Sequence, residues 1–206
     1  MVTFSVPVKT KSQAAFKGCF KFSVQNMSVL FAGSRYGAVP HKTCSLLIEQ
    51  FHLLGFGFYT GGAPGVDACF RKALSLSPYK DRTFVACAFK SRTKAKNSYG
   101  LFASVVVPKN LHPKAALYRR TLWMVRRCSL VVLFPKNPYS HFWGKGSTLT
   151  LTQALYNLKP VFVVGSTPPK KSYHYHVLPS DLFATVQGYW VVPHPIEQGG
   201  TCDDEY

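Results

Sequence analysis

Three short stretches carry residue types that could hold a phosphate. They are Gly33-Ser34-Arg35, the run Thr60 to Asp67 ("TGGAPGVD") and the run Trp143 to Thr148 ("WGKGST"). Each contains glycines that let the main chain come close to an anion, and two add a hydroxyl or a cation beside them. The candidate phosphate or nucleotide contacts are Gly33, Ser34 and Arg35 in the first stretch. In the second they are Gly61, Gly62, Ala63, Gly65 and Asp67, and in the third Gly144, Lys145, Gly146, Ser147 and Thr148. The Gly-x-Gly-x-x-Gly spacing and a Walker A lysine in its frame are both absent, so no single turn identifies its ligand. Asp67 has two open readings. It caps main-chain N–H groups in a first helical turn, or it orients a ribose hydroxyl or a loop arginine such as Arg35.

A second set of candidates is cationic. At 100° per residue, Arg119 and Arg126 fall about 20° apart on a helix, as do Arg120 and Arg127, giving two parallel basic rows with Trp123 between them. Leu117, Tyr118, Met124, Val125 and Cys128 lie opposite, where a core would be. Arg120 is a candidate for the phosphate site. Arg119, Trp123, Arg126 and Arg127 suit base stacking with phosphate pairing. The alternative is that Trp123 packs under a neighbouring segment and the arginines are solvated. Lys90, Arg92, Lys94 and Lys96 form another run, to be read either as a solvated face or as part of a nucleic-acid surface.

Other chemistries are disfavoured. His174 and His176 have no Cys or acid nearby to complete a metal site. No GxSxG pattern marks a nucleophile. The six cysteines form no CxxC pair and several stand in apolar stretches, so they read as buried reduced thiols in a cytoplasmic protein.

The elements that must position these residues alternate. Strands are expected at "MSVLFAG" (Met27 to Gly33), "FGFYTGG", "RTFVACAF", "SLVVLFP" and "VFVVG". Helices are expected at "HKTCSLLIEQFHLLG", "GVDACFRKALSL", "HPKAALYRRTLWMVRRC" and "GSTLTLTQALYNLKP". This order predicts an α/β fold, a Rossmann-like parallel sheet of about five to seven strands with helices on both faces. The stretch Ser166 to Leu178 reads as a surface excursion, and "GYWVVP" (Gly188 to Pro193) as a final edge strand. Residues 1–26 read as a basic extension, 27–193 as the folded domain and 194–206 as a mobile acidic tail. In such sheets ligands sit outside the carboxyl ends of the strands, where all three glycine turns are expected.

The chain of 206 residues carries a formal charge of +17. Met27 to Pro169 holds three acids against 19 basic residues. That balance favours a polyanionic partner, and no apolar run is long enough for a membrane helix.

"FAGSR", followed about 25 residues later by "TGGAPGVDACFRKAL", resembles the SLOG superfamily of Rossmann-like proteins. That superfamily includes DNA-processing protein A, the YpsA-like proteins and the LOG phosphoribohydrolases. Arg120, the "SLVVLFP" strand, the turn with Ser147 and Thr148, and "ALYNLKPVFVV" extend the likeness to Gly165. The resemblance implies a nucleotide or ADP-ribose-like ligand held by these loops. In the DNA-processing branch it implies single-stranded DNA or another single-stranded nucleic acid, and relatives often self-associate. LOG enzymes place a glutamate just after their Gly-Thr turn for cleaving the N-glycosidic bond. Here "GKGSTLTLTQAL" has no acid, which argues against the hydrolase and for a binding module.

Overall fold

A computed structural model describes residues 27–140, 143–170 and 172–194. The expected basic extension (1–26) lies outside these residues, as does all of the expected acidic tail except His194. The elements run β1 (Ser28–Gly33), α1 (His41–Leu53), β2 (Gly57–Gly61), α2 (Val66–Leu76), β3 (Thr83–Cys87), α3 (Ala95–Ser98) and β4 (Ala103–Val105). They continue with α4 (Pro113–Arg127), β5 (Leu130–Phe134), α5 (Lys145–Tyr156), β6 (Val161–Val164), β7 (Tyr175–Leu182) and β8 (Val186–Pro193).

The sheet has eight strands among the described residues, in the order β4-β3-β2-β1-β5-β6-β8-β7. The first six are parallel, while β8 runs antiparallel to both β6 and β7. The α/β expectation therefore holds, with one more strand than the upper bound and a hairpin added at one side. β1 lies at the centre, pairing Phe31 with Thr60 of β2 on one side and with Val132 of β5 on the other. Its fully buried residues explain why it reads as a continuous apolar run.

Alternating side chains feed two cores. Val29, Phe31, Phe58, Val132 and Phe162 face Leu47, Phe51 and Phe70 of α1 and α2. Phe31 stacks on Phe70 with centroids 4.1 Å apart. Leu30, Val131, Leu133 and Val161 face Met124, Val125, Leu151 and Ala154 of α4 and α5. Each fully buried side chain of this size contributes about 1.5–3 kcal/mol.

Two expectations change. The segment 166–178 is an excursion only in its first part, because Tyr175 begins β7. Pro179 sits in that strand, and proline is tolerated there because β7 is the edge of the sheet. "GYWVVP" is a strand but not an edge, since β8 is paired on both sides.

Candidate functional site

Successive strands place the three glycine turns along one rim. β2, β1 and β5 are adjacent and parallel, so the chain leaves all three at the same end of the sheet. The strand order reverses between β1 and β5, which makes their exits the topological switch point.

Ser34 joins these exits. Its amide donates to the carbonyl of Phe134 at 2.9 Å, and its carbonyl accepts from the amide of Val66 at 3.0 Å. Its hydroxyl accepts from the Tyr36 amide at 3.1 Å. At 7% exposure, Ser34 is a junction between turns more than an open hydroxyl. Gly33 is required here because a Cβ would lie 2.9 Å from that of Phe134. Arg35 and Tyr36 are exposed beside it.

The second turn is held from beneath by two arginines. Gly65 starts α2 at φ 73, pressed against the backbone of Ser34 and Arg35. Asp67 is 4% exposed; it accepts from the Ala63 amide at 3.3 Å and lies 3.7 Å from Arg120 Nη1. Asp67 therefore accepts from the turn before α2, not from the helix's own first-turn amides, and the arginine that pairs with it is Arg120. Arg120 is itself buried, with its Nε lacking a hydrogen-bond partner among the described residues. Gly61 lets this pair sit against the turn, where a Cβ would be 3.0 Å from Arg120 Nη1.

Arg71 escaped the sequence reading. It is 3% exposed and donates to the carbonyls of Gly61 and Ala63, the latter at 2.8 Å. Its Nε donates to the Asn97 carbonyl at 2.9 Å. The signal that could have found it is its position four residues after Asp67, on the same helix face. Burial pushes the Asp67 carboxyl above its ordinary 3.8, and the guanidinium groups of Arg120 and then Arg71 pull it back. Burial likewise lowers Arg71, opposed by Asp67.

The third turn is more open. Gly144 begins α5 at φ 81 with no side-chain cap, and a Cβ on Gly144 or Gly146 would meet nothing within 4 Å. Thr148 makes the first helical bond, its amide donating to the Gly144 carbonyl at 3.1 Å. Lys145, Gly146 and Thr148 are exposed, whereas Ser147 is buried. α1 and α2 also begin without a side-chain cap, on Pro40 and Gly65. Uncapped first turns leave N–H groups and a positive dipole end for an anion.

The cationic candidates divide. Lys90, Arg92, Lys94 and Lys96 are exposed beyond β3, and the Arg92 Cβ packs near Gly62. Arg119, Arg126 and Arg127 are exposed on α4, but Arg120 turns inward, so the two basic rows are not equivalent. Trp123 is half-buried, stacked on Phe84 at 5.1 Å and edge-on to Tyr59 at 6.0 Å. The Arg127 guanidinium lies 4.1 Å from its ring centroid. Tyr118, expected to face the core, is 44% exposed.

A groove of about 690 Å³ opens at the switch point. Its walls come from the β1–α1 segment (Gly37 to Pro40), the β5 exit (Phe134 to Lys136) and the β7–β8 turn (Ala184 to Gln187). Val66 lines it, but Gly61 to Ala63 and Gly144 to Thr148 do not. Among the described residues no group of three or more His, Cys, Asp and Glu could hold a metal ion, and no helix is long and apolar enough to cross a membrane.

No protein-family profile matches the chain, and no curated protein matches it. Solved structures do. DNA processing protein A from Helicobacter pylori, studied for its single-stranded DNA binding mode, superposes with a TM-score of 0.51 at 18% identity. The match covers 70% of this chain and 68% of that one. DNA processing protein A from Streptococcus pneumoniae gives a TM-score of 0.53 at 18% identity, over 70% of this chain and 52% of that one. This chain thus spans about half the length of the pneumococcal protein. At this distant identity the likeness is one of fold: the chain has the Rossmann-like architecture of DNA processing protein A.

Proposed function

We propose that the chain is a binding module for a phosphorylated nucleotide or nucleotide derivative, such as an ADP-ribose-like ligand, with its phosphate at the carboxyl rim of the sheet. The observation that carries this reading is the convergence of the β1, β2 and β5 exits, two of them joined directly to Ser34 by the Phe134 and Val66 hydrogen bonds. Beside them α1, α2 and α5 start without side-chain caps, with Arg35, Lys136 and Lys145 exposed. Amide donors and cations on one rim suit an anion better than any neutral ligand.

The supporting role of Arg120 changes in this reading. It acts from below, through Asp67, and the cations available to a ligand are Arg35, Lys136 and Lys145. The test is equilibrium binding of mononucleotides and ADP-ribose to the full chain and to Arg35→Ala/Lys145→Ala. Saturable binding that the double variant weakens at least tenfold supports the reading. Affinity equal in both proteins would remove it.

A second reading, single-stranded nucleic acid, is favoured by the spread of charge. The exits of β5, β1, β2 and β3 are consecutive, so cations from Lys136 to Lys90 and Arg92 span roughly 14 Å at ordinary strand spacing. That is a track for several phosphates, and the Helicobacter pylori protein of the same fold binds single-stranded DNA. Binding of an oligonucleotide that falls steeply between low and moderate salt would select this reading over the mononucleotide.

A further inference from the structure

The groove at the switch point contains a carboxylate that the phosphate rim does not use. Four acids occur among the described residues: Glu49, Asp67, Asp81 and Asp181. Of these only Asp181 lines the groove, and the Asp67–Arg120 pair is the sole ion pair among the described residues. Asp181 is exposed at the wall of this cavity, so its carboxylate is available to accept hydrogen bonds from a molecule bound there.

The turn that carries Asp181 is fixed in place. Asp181 pairs with Gln187 across the β7–β8 hairpin, and its carbonyl accepts from the Ala184 amide at 3.2 Å. Phe183 and Ala184 both stand in the left-handed region, at φ 53 and 58, where side-chain-bearing residues cost about 1–2 kcal/mol each. Phe183 packs edge-on against Phe51 of α1 with centroids 5.0 Å apart, which anchors the turn beside α1. Lys136 also lines the groove, its ammonium 5.4 Å from the ring centroid of Tyr36. That ring is 85% exposed, next to Arg35. Val39, Val66 and Val186 add apolar lining.

The lining thus combines a cation, apolar side chains and a carboxylate acceptor, with the exposed Tyr36 ring beside the cation. The geometry points to Asp181 as the specificity-determining residue for the nucleoside half of the ligand, accepting a pair of adjacent hydrogen-bond donors while the phosphate stays at the rim. This inference rests on the phosphate reading above. Two parts of a nucleotide present such a donor pair: the N1–H and N2–H edge of guanine, and the 2′,3′-diol of ribose. A carboxylate can accept from either pair with its two oxygens.

Calorimetric titration of the full chain and of Asp181→Asn with pyrophosphate, GMP, AMP and 2′,3′-dideoxy-AMP separates the cases. Pyrophosphate is expected to bind both proteins equally. The wild type is expected to prefer GMP over AMP if the base is read, or AMP over its dideoxy form if the diol is read. The expected preference is about tenfold, the size a bidentate contact supplies, and Asp181→Asn abolishes it. An equal preference in both proteins overturns the assignment, as does a wild type that binds pyrophosphate and all nucleotides alike. If neither pyrophosphate nor any nucleotide binds the wild type, the phosphate site itself is overturned. Reading the far-ultraviolet dichroism of both proteins beforehand ensures that a lost preference is not lost folding.

Discussion

The Arg71 guanidinium donates a 2.8 Å hydrogen bond to the carbonyl of Ala63, from inside the molecule. The same side chain reaches Gly61 and Asn97. One buried cation therefore fastens the glycine turn after β2 to the basic segment after β3. Arg71→Met keeps the stem but leaves these carbonyls without their donor. It should lower stability by about 3 kcal/mol, since bonds to charged groups contribute about 1.5–3 kcal/mol each and are not additive. Urea denaturation checks this as a fall in midpoint at unchanged slope.

Asp67 makes stability depend on pH in a definite direction. Its carboxyl is raised by burial above the ordinary 3.8, so the folded state holds the proton more tightly than the unfolded one. That contribution is fully present below the unfolded value and is lost as pH rises through the folded value. Asp67→Asn cannot titrate. The stability of the wild type relative to Asp67→Asn should therefore decline from the acid side toward neutrality, measured by denaturant melts at a series of pH values. A difference that grows with pH would contradict this.

Two glycines of the candidate site should respond oppositely. Gly65 stands at φ 73 against the backbone of Ser34 and Arg35, so Gly65→Ala should cost 2 kcal/mol, roughly, or more. Gly146 sits in the first turn of α5 with open space around it, and Gly146→Ala should leave stability unchanged or raise it by up to about 1 kcal/mol. On the proposed phosphate site, nucleotide affinity should nevertheless fall in Gly146→Ala, because the methyl would occupy the open space beside the first turn of α5. Thermal melts with and without ligand separate the two effects.

The β7–β8 turn offers a gain. Ala184 is exposed at φ 58, and glycine reaches that conformation without penalty. Ala184→Gly should stabilise the folded chain by about 0.5–1 kcal/mol after the extra entropy of the unfolded chain is set against it. A raised urea midpoint is the expected readout.

Cys44 and Cys128 are buried, and burial pushes both thiols up to about 12. At pH 8 they should resist iodoacetamide in the native state and react only after denaturation. Peptide mapping by mass spectrometry after a timed exposure reads this directly.

β1, β5 and β6 were legible because they are buried nearly throughout and spell apolar runs, as "VLFAG" and "LVVLF" do, while β2 and β3 were marked by short aromatic and β-branched stretches. β4 has only three residues, too few for any period to register. β7 contains Pro179 and a mixed pattern, "YHVLPSDL", so it reads as coil until its partner β8 is known. The glycine turns could be placed at one rim from the strand order, but not the roles of the charges around them. Arg71 and Arg120 look like surface residues on helical faces; main-chain carbonyls draw the first inside, and Asp67 lies beside the second. Spacing reports which face a residue is on, but not which acceptors the next loop will supply.

The central position of β1 has a cost during synthesis. Its partner on one side, β2, follows directly, but the other, β5, arrives late: the amide of Ser28 meets the hydroxyl of Ser129, 101 residues on. A chain emerging from the ribosome therefore carries an apolar middle strand with one bare flank while the five elements from α2 to α4 are made. Late-translated sequence closes the seam, and the same closure brings Phe134 to Ser34, so the rim proposed for the ligand is complete only once the sheet's second half has docked.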